Sequence, residues 1–461
     1  MINNRMSGSF RDPSGFLFSQ NKVIYRQVNQ IYRSNYDQLI GSGLYEHLAK
    51  SGAIVKHIEV SDVNSPDPDK VYKIIQPELI NFISYPYEWC FSQLIEAAIL
   101  TLAIAKRSLQ YGMSLKDASA YNVQFQNGKA IFIDTLSFET YQEGEPWVAY
   151  RQFCQHFLAP LALMAFRDIR LNQLLRTNID GVPLDIASKL LPLRTRLNFG
   201  LLTHIHLHAK SQQRFADKAL EGPISDAKVN KQAILGLIAS LTSTISKLKI
   251  KNIGTEWENY YQDTNYSEKA FDAKKRIIKT FISQAKPGYV WDLGANNGEF
   301  SRIASDQGIN TISFDIDPGA VESNYKKQKE NKEKNILPLI MDLTNPSPAL
   351  GWHHKERSAL IERGPVDLVM ALALIHHLSI GNNVPLNKIA HFFSDLCEFL
   401  IVEFIPKSDS QVKRLLSSRE DIFPNYTVEG FEVAFTSHFK ILDQKNVQGS
   451  QRTLYLMQRL Q

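Results

Sequence analysis

The chain has 461 residues, 44% hydrophobic and 21% charged, enough for about two or three globular domains with ample cores. Its formal net charge of +5 is small for this length, and no Lys/Arg run dominates one segment, which argues against nucleic-acid binding. Three cysteines, Cys90, Cys154 and Cys397, lie too far apart for a metal or disulfide pattern and fit a reducing, cytoplasmic setting. The polar start and the shortness of the longest apolar runs, 97–105 and 157–166, lead us to expect neither a signal peptide nor membrane insertion.

Residues 10–18 place apolar flanks around Pro13-Ser14-Gly15, and 23–28 is a third strand candidate. A helix is expected over 36–50, stopped by Ser51-Gly52. Strands at 53–60 and 70–83 follow, then a break at Pro86 and a long helix over 91–111 ending at Gly112. Asn127-Gly128, between the β-prone runs 123–125 and 130–133, signals a hairpin. Asp117 and Asn122 precede it and Asp134 ends its second strand.

That constellation resembles the catalytic loop and metal-binding aspartate of the protein-kinase and aminoglycoside-phosphotransferase superfamily. The resemblance implies Asp117 as the base position, Asn122 and Asp134 as metal ligands, and Arg26 where a phosphate-pairing lysine would stand. The departures are a missing glycine-rich loop in residues 1–30, Arg26 in place of Lys, Leu115-Lys116 in place of His-Arg, and Thr-Leu-Ser after Asp134. Three readings of residues 1–215 stay open: a phosphotransferase, a non-catalytic kinase-like module, or an unrelated α+β domain whose Asp and Asn residues cap turns.

Helices are expected at 147–159, 161–175 and 184–190. His204-Ile-His206-Leu-His208 would align three imidazoles on one face of a strand, a metal-site geometry, but no carboxylate or Cys lies close by and the segment can equally be helical. Residues 216–249 read as a connector, polar at first and then a one-faced helix over 230–248. An aromatic, polar stretch with Tyr260, Tyr261 and Tyr266 precedes a charged helix at 267–283, which Lys286-Pro287-Gly288 stops.

Residues 289–317, YVWDLGANNGEFSRIASDQGINTISFDID, form the informative core of the chain. An apolar strand ends in Asp292, and a turn with Gly294, Asn296 and Gly298 opens a helix over 299–307. A second strand, 311–314, then ends in Asp315 and Ile316. Glycines let a backbone approach a nucleoside, and an acid about twenty residues on can accept both ribose hydroxyls. An acid before the first glycine would repel pyrophosphate and attract a cationic amino group. This resembles motif I of class I, Rossmann-like S-adenosylmethionine-dependent methyltransferases. Downstream, strands at 336–341, 366–373 and 399–404 alternate with helices, and two late strands, 439–444 and 453–457, match the hairpin that ends that family's sheet.

The resemblance implies an α/β fold with a seven-stranded, mostly parallel sheet in residues 250–461, preceded by an α+β, kinase-like N-terminal domain. It implies S-adenosylmethionine as cofactor, with Asp292, Gly294, Asn296, Gly298, Asp315, Ile316, Asp342, Leu343 and Ala371 around it. An N-terminal segment commonly covers the cofactor in this family, which makes Tyr260, Tyr261 or Tyr266 lid candidates. At the rim, His376, His377, Glu403 and Lys407 are acceptor-side candidates, and a general base is needed only for poorly ionised acceptors. The segments at 403–409 and 419–424 also resemble bacterial methyltransferases related to nodulation and cell-surface proteins, which points to a small-molecule or glycan acceptor. A bifunctional enzyme and a nucleoside-binding sensor without turnover are the rival functions.

Overall fold

Sheet pairing in the computed structural model, which describes residues 5–210, 229–250, 268–417 and 420–460, separates two units. The first comprises Met1–Asn252 with Leu350–Arg357, and the second Ile253–Ala349 with Ser358–Gln461. No helix among the described residues is long and apolar enough to cross a membrane.

In the first unit, β1 (Gly15–Gln20), β2 (Val23–Asn29), β3 (His57–Val60) and β4 (Val71–Pro77) form an antiparallel sheet in the order β1-β2-β4-β3. The first hairpin turns at Asn21-Lys22, with φ of 54° and 64°, rather than at Pro13-Ser14-Gly15. Two left-handed residues match the twist of a two-residue hairpin, which the Pro-Ser-Gly corner does not supply. The helix expected over 36–50 is two helices, Arg33–Gly41 and Leu44–Lys50, divided where Gly43 takes φ 81°. Val28 and Ile75 on the sheet pack with Tyr32 and Tyr36 to form one of its cores.

The long helix Phe91–Gln110 follows, and β5 (Met113–Leu115) pairs with β8 (Phe138–Thr140). Between them β6 (Val123–Gln126) and β7 (Lys129–Phe132) close through Asn127-Gly128, both at positive φ. The helix Lys231–Ser246, whose N-cap Asn230 accepts the Ala233 N–H at 2.9 Å, belongs to this unit and packs on Phe91–Gln110. The boundary expected near 216–225 lies outside the described residues.

His204 and His206 lie in a π-helical segment, Leu202–Leu207, and are held by hydroxyls. His204 meets Tyr150 Oη at 2.8 Å and Ser240 Oγ at 2.9 Å, while His206 meets Ser188 Oγ at 2.8 Å and Thr195 Oγ1 at 2.9 Å. They are structural imidazoles.

The second unit is built on β9 (Tyr289–Leu293), β10 (Asn310–Asp315), β11 (Ile336–Ile340), β12 (Val366–Ala371), β13 (Cys397–Phe404), β14 (Phe439–Asn446) and β15 (Thr453–Arg459). Their order is β11-β10-β9-β12-β13-β15-β14. The first five run parallel and β15 is antiparallel to both neighbours. Near-continuous apolar runs such as Leu368–Ala371 suit strands covered on both faces. The helix Glu268–Ala285 buries Ala270, Ile278, Phe281 and Ile282 against Val290, Leu368 and Met370.

Gly298 shows how tightly the first crossover is packed. At its φ of 79°, an added Cβ would lie 2.5 Å from Asn324 Nδ2 and 2.7 Å from Arg302 Nη1. Neither neighbour is loose: Asn324 donates to Ser313 Oγ at 2.8 Å and Arg302 grips Glu333 through two 2.9 Å bonds. Gly298→Ala is expected to cost about 2–5 kcal/mol, the sum of a left-handed penalty and overpacking. Chemical denaturation checks this, and an unchanged midpoint would refute it.

Candidate functional site

The carboxyl ends of β9, β10, β11 and β12 converge on a cavity of about 260 Å³, at the switch point where crossovers leave the sheet in opposite directions. Its walls include Asp292, Gly294, Asn296, Asp315, Ile316, Asp342 and Leu343, seven of the nine cofactor-side residues expected from the sequence.

Asp315 ends β10 and is 8% exposed. Its Oδ2 accepts the Asn296 N–H at 2.7 Å and its Oδ1 the Asp317 N–H at 2.8 Å. The turn after β9 reaches this carboxylate because Asn296 takes φ 51° and Gly294 φ 77°, where the Gly294 and Ala295 amides both donate to the Phe314 carbonyl at 2.9 Å. Burial pushes the Asp315 carboxyl up to about 6, against the pull of those main-chain amides. Asp292 is more deeply buried, accepts Ser301 Oγ at 2.6 Å, and is pushed by burial up to about 7. Ile316 stands 56% exposed beside this pair, an apolar flank for a flat ring.

Asp342 follows β11, and its Oδ1 accepts the Thr344 N–H at 2.8 Å and Thr344 Oγ1–H at 2.7 Å. It therefore closes the local turn and lines the cavity at once.

The other expected residues are placed differently. Gly298 shapes the turn behind the cavity rather than its wall. Ala371 is buried in β12, paired with Leu293 and Val402, and the wall is made one step later by Leu372, Ala373 and Leu374. That shift follows from Ala373, whose φ of 50° ends the extended run.

His377 lines the cavity, and burial lowers its pKa, which leaves a neutral imidazole able to take a proton. His376 is 1% exposed, does not line the cavity, and has neither ring nitrogen hydrogen-bonded. Glu403 is not at the rim. It is fully buried, and its Oε2 accepts Lys274 Nζ at 2.6 Å and the Ala373 N–H at 2.8 Å. A carboxylate so engaged is no acceptor-side base. Lys407 is tied to both carboxylate oxygens of Asp421 and to the Phe423 carbonyl, each at 2.7 Å. The lid candidates Tyr260, Tyr261 and Tyr266 lie outside the described residues.

Lys274 was not foreseen. Its signal was present: in the helix Glu268–Ala285 it falls on the stripe of Ala270, Ile278 and Phe281, where a lysine has no place unless its charge is used. It is 1% exposed, lies 4.4 Å from the Phe300 ring centroid, and lines the cavity. Burial lowers its pKa, with Glu403 opposing.

The first unit also gathers residues singled out in the sequence. Arg26 Nη1 meets Asp134 Oδ1 at 2.5 Å. The same carboxylate accepts the Leu136 N–H at 3.0 Å and Ser137 Oγ at 2.5 Å. Asp117 Oδ1 accepts from Ser119 N and Gln152 Nε2, both at 2.9 Å, while Asn122 Nδ2 donates to Ser137 Oγ at 3.2 Å. Burial raises the Asp117 pKa and the Asp134 charge adds to it.

Over 461 aligned residues the chain is 35% identical to nodulation protein NoeA from Rhizobium meliloti (strain 1021), spanning 99% of this chain and 96% of that protein. No family model matches the chain. Among solved structures, magnesium protoporphyrin IX methyltransferase (ChlM) from Synechocystis PCC 6803 with bound SAH aligns at 16% identity over 44% of this chain and 93% of that one, with a TM-score of 0.31. The N-methyltransferase NodS from Bradyrhizobium japonicum WM9 aligns at 9% identity over 42% and 99%, with a TM-score of 0.30.

Proposed function

The chain belongs to the nodulation protein NoeA family, and we propose that its second unit is an S-adenosylmethionine-dependent methyltransferase acting on a small-molecule or glycan acceptor. The observation that carries this reading is the Asp315 carboxylate, set by two main-chain amides in the same cavity as Gly294 and the buried Asp292. A carboxylate there suits a ribose diol, Ile316 and Leu343 suit the faces of an adenine, and Asp292 suits an ammonium group. The donor set thus fits the ligand. S-adenosylmethionine, when bound, supplies a methyl group on a sulfonium. The protein's part is to hold the nucleoside, exclude water with Phe300, Leu372 and Leu374, and take a proton at His377 when the acceptor is an un-ionised hydroxyl. Isothermal titration with S-adenosylmethionine, S-adenosylhomocysteine and ATP tests the proposal. Binding of ATP with neither adenosyl ligand would overturn it.

The raised pKa of Asp292 yields a second test. An ammonium bound beside it favours the ionised carboxylate, so binding at pH 7 is expected to release about half a proton. The sign follows from the shift: the group is largely protonated below about 7, and the grip on a cation strengthens as pH rises through that value. Titrations in buffers of different ionisation enthalpy measure the release, which should vanish in Asp292→Asn.

For the first unit we propose a kinase-like fold without phosphotransfer. The antiparallel order β1-β2-β4-β3, the helix after it, and the meeting of Arg26, Asp117, Asn122 and Asp134 support the fold. The site does not fit a divalent ion. The permanent charge of Arg26 already occupies the Asp134 carboxylate, whose oxygens are further taken by Leu136 and Ser137.

A further inference from the structure

The first unit leaves apolar side chains in water over one short stretch. Ile186 and Leu190 on the helix Leu184–Leu190 are exposed, and so are Leu193, Leu197, Phe199 and Leu207 beyond it. Single exposed leucines are ordinary, but six large apolar side chains within 22 residues are not. Leu197 at 91% and Phe199 at 77% are the most exposed large apolar side chains among the described residues, and Leu193 stands at 73%.

Their outward direction is fixed from beneath. In the 3₁₀ turn Leu193–Leu197 the inward residue is Thr195, whose Oγ1 donates to the Pro192 carbonyl at 2.6 Å and accepts from His206 Nε2 at 2.9 Å. Ser188 Oγ meets the other nitrogen of that ring at 2.8 Å, which ties the turn to the preceding helix. On the far side Gly200 is buried, and an added Cβ there would overlap Thr244 of the helix Lys231–Ser246. With 195 and 200 both anchored inward, the chain between them cannot roll to bury Leu197 or Phe199.

The charge of this stretch is one-sided. Residues 184–210 carry Lys189, Arg194, Arg196 and Lys210 against the single carboxylate of Asp185. Asp185 lies 3.8 Å from Lys189, and neither Arg194 nor Arg196 meets a carboxylate among the described residues. Burial lowers the His206 pKa, and the nearby charges that add to it, Arg196 and Lys210, are both cationic. A protein partner fits such a surface poorly, because interface centres are depleted of charge and a projecting tip needs a matching pocket. A lipid interface fits it. Apolar side chains can enter the acyl boundary while the arginines between them stay with the phosphates.

We propose that the projection at residues 193–199 docks the chain on an anionic lipid surface, with Leu193, Leu197 and Phe199 entering the acyl boundary and Arg194 and Arg196 held at the headgroups. This is adsorption to one leaflet by side chains on short turns, with no spanning helix required. It is independent of the adenosyl site in the second unit.

The test is co-sedimentation of the full chain with vesicles of phosphatidylcholine alone and of equal parts phosphatidylcholine and phosphatidylglycerol. Wild type should bind the anionic vesicles at least about tenfold more tightly than the neutral ones, and lose that preference as salt rises from about 0.05 to 0.5 M. An arginine near an anionic leaflet is worth about fivefold, so Arg194→Gln/Arg196→Gln should weaken anionic binding about twenty-fivefold. Leu197→Ser/Phe199→Ser should weaken it at least about tenfold at every salt concentration. All four positions are exposed, so both variants are expected to fold, which a thermal melt checks. Unchanged binding in the apolar variant, or equal binding of wild type to the two vesicle types, would overturn the proposal. So would no binding to either. If the chain then sedimented as a dimer that Leu197→Ser/Phe199→Ser returned to monomer, the occupant of this surface would be a second copy.

Discussion

Asp315→Ala is expected to weaken S-adenosylhomocysteine binding about a hundredfold or more, the largest ligand effect among single substitutions in this cavity. Two ribose hydroxyls donating to one carboxylate are two charge-assisted hydrogen bonds, each worth about 1.5–3 kcal/mol. The substitution also strips the acceptor from the Asn296 and Asp317 amides, so the turn that approaches the ligand loosens. Asp315→Asn keeps the shape and part of the bonding, and should fall between alanine and wild type. Titration calorimetry paired with a thermal melt separates lost recognition from lost fold. Binding within about threefold of wild type in a folded Asp315→Ala protein would remove the basis of the nucleoside reading.

For stability, the largest expected effect is at Glu403. Glu403→Ala strands Lys274, leaving an ammonium in the core with its nearest counter-charge gone. Breaking a buried pair from one side costs about 3–5 kcal/mol. The Ala373 amide loses its acceptor as well, and that residue then holds a left-handed conformation with nothing to fix it. Pairing the change as Lys274→Met/Glu403→Gln should recover most of the loss, because a neutral pair of similar volume replaces a charged one. Urea denaturation of the single and double variants decides the matter. A single variant as stable as wild type would show that Lys274 is already neutral or paired elsewhere.

Local patterns carried much of the second unit's architecture into the sequence. The strand, glycine-bearing turn and acid of 289–315 lie within one short stretch, and an apolar run closed by Gly294 has few alternatives. Pro318 after Asp317 marked the next helix for the same reason, with Asp317 accepting the Gly319 N–H at 2.7 Å as its cap. What escaped was set by partners far away in the chain. Glu403 ends a strand, so its position alone sends it to the rim, yet a lysine 129 residues earlier pulls it inward. The resemblance placed Ala371 beside the cofactor, and the apolar pattern carried its strand on to 373. The run breaks earlier because Ala373 turns its amide onto that same glutamate. In the first unit the Pro13-Ser14-Gly15 signal outweighed Asn21-Lys22, although a lysine accepts positive φ once a hairpin's pairing demands it.

The residue on which the nucleoside reading depends is steered entirely by peptide groups. Asp315 takes its orientation from the amides of positions 296 and 317, and every amino acid except proline provides one. The aim of this carboxylate is thereby independent of what its neighbours' side chains bond to, and position 296 needs only a residue that accepts positive φ. On the proposed reading, acceptor preference can therefore diverge through the rim around His377 while the main-chain aim of Asp315 is kept.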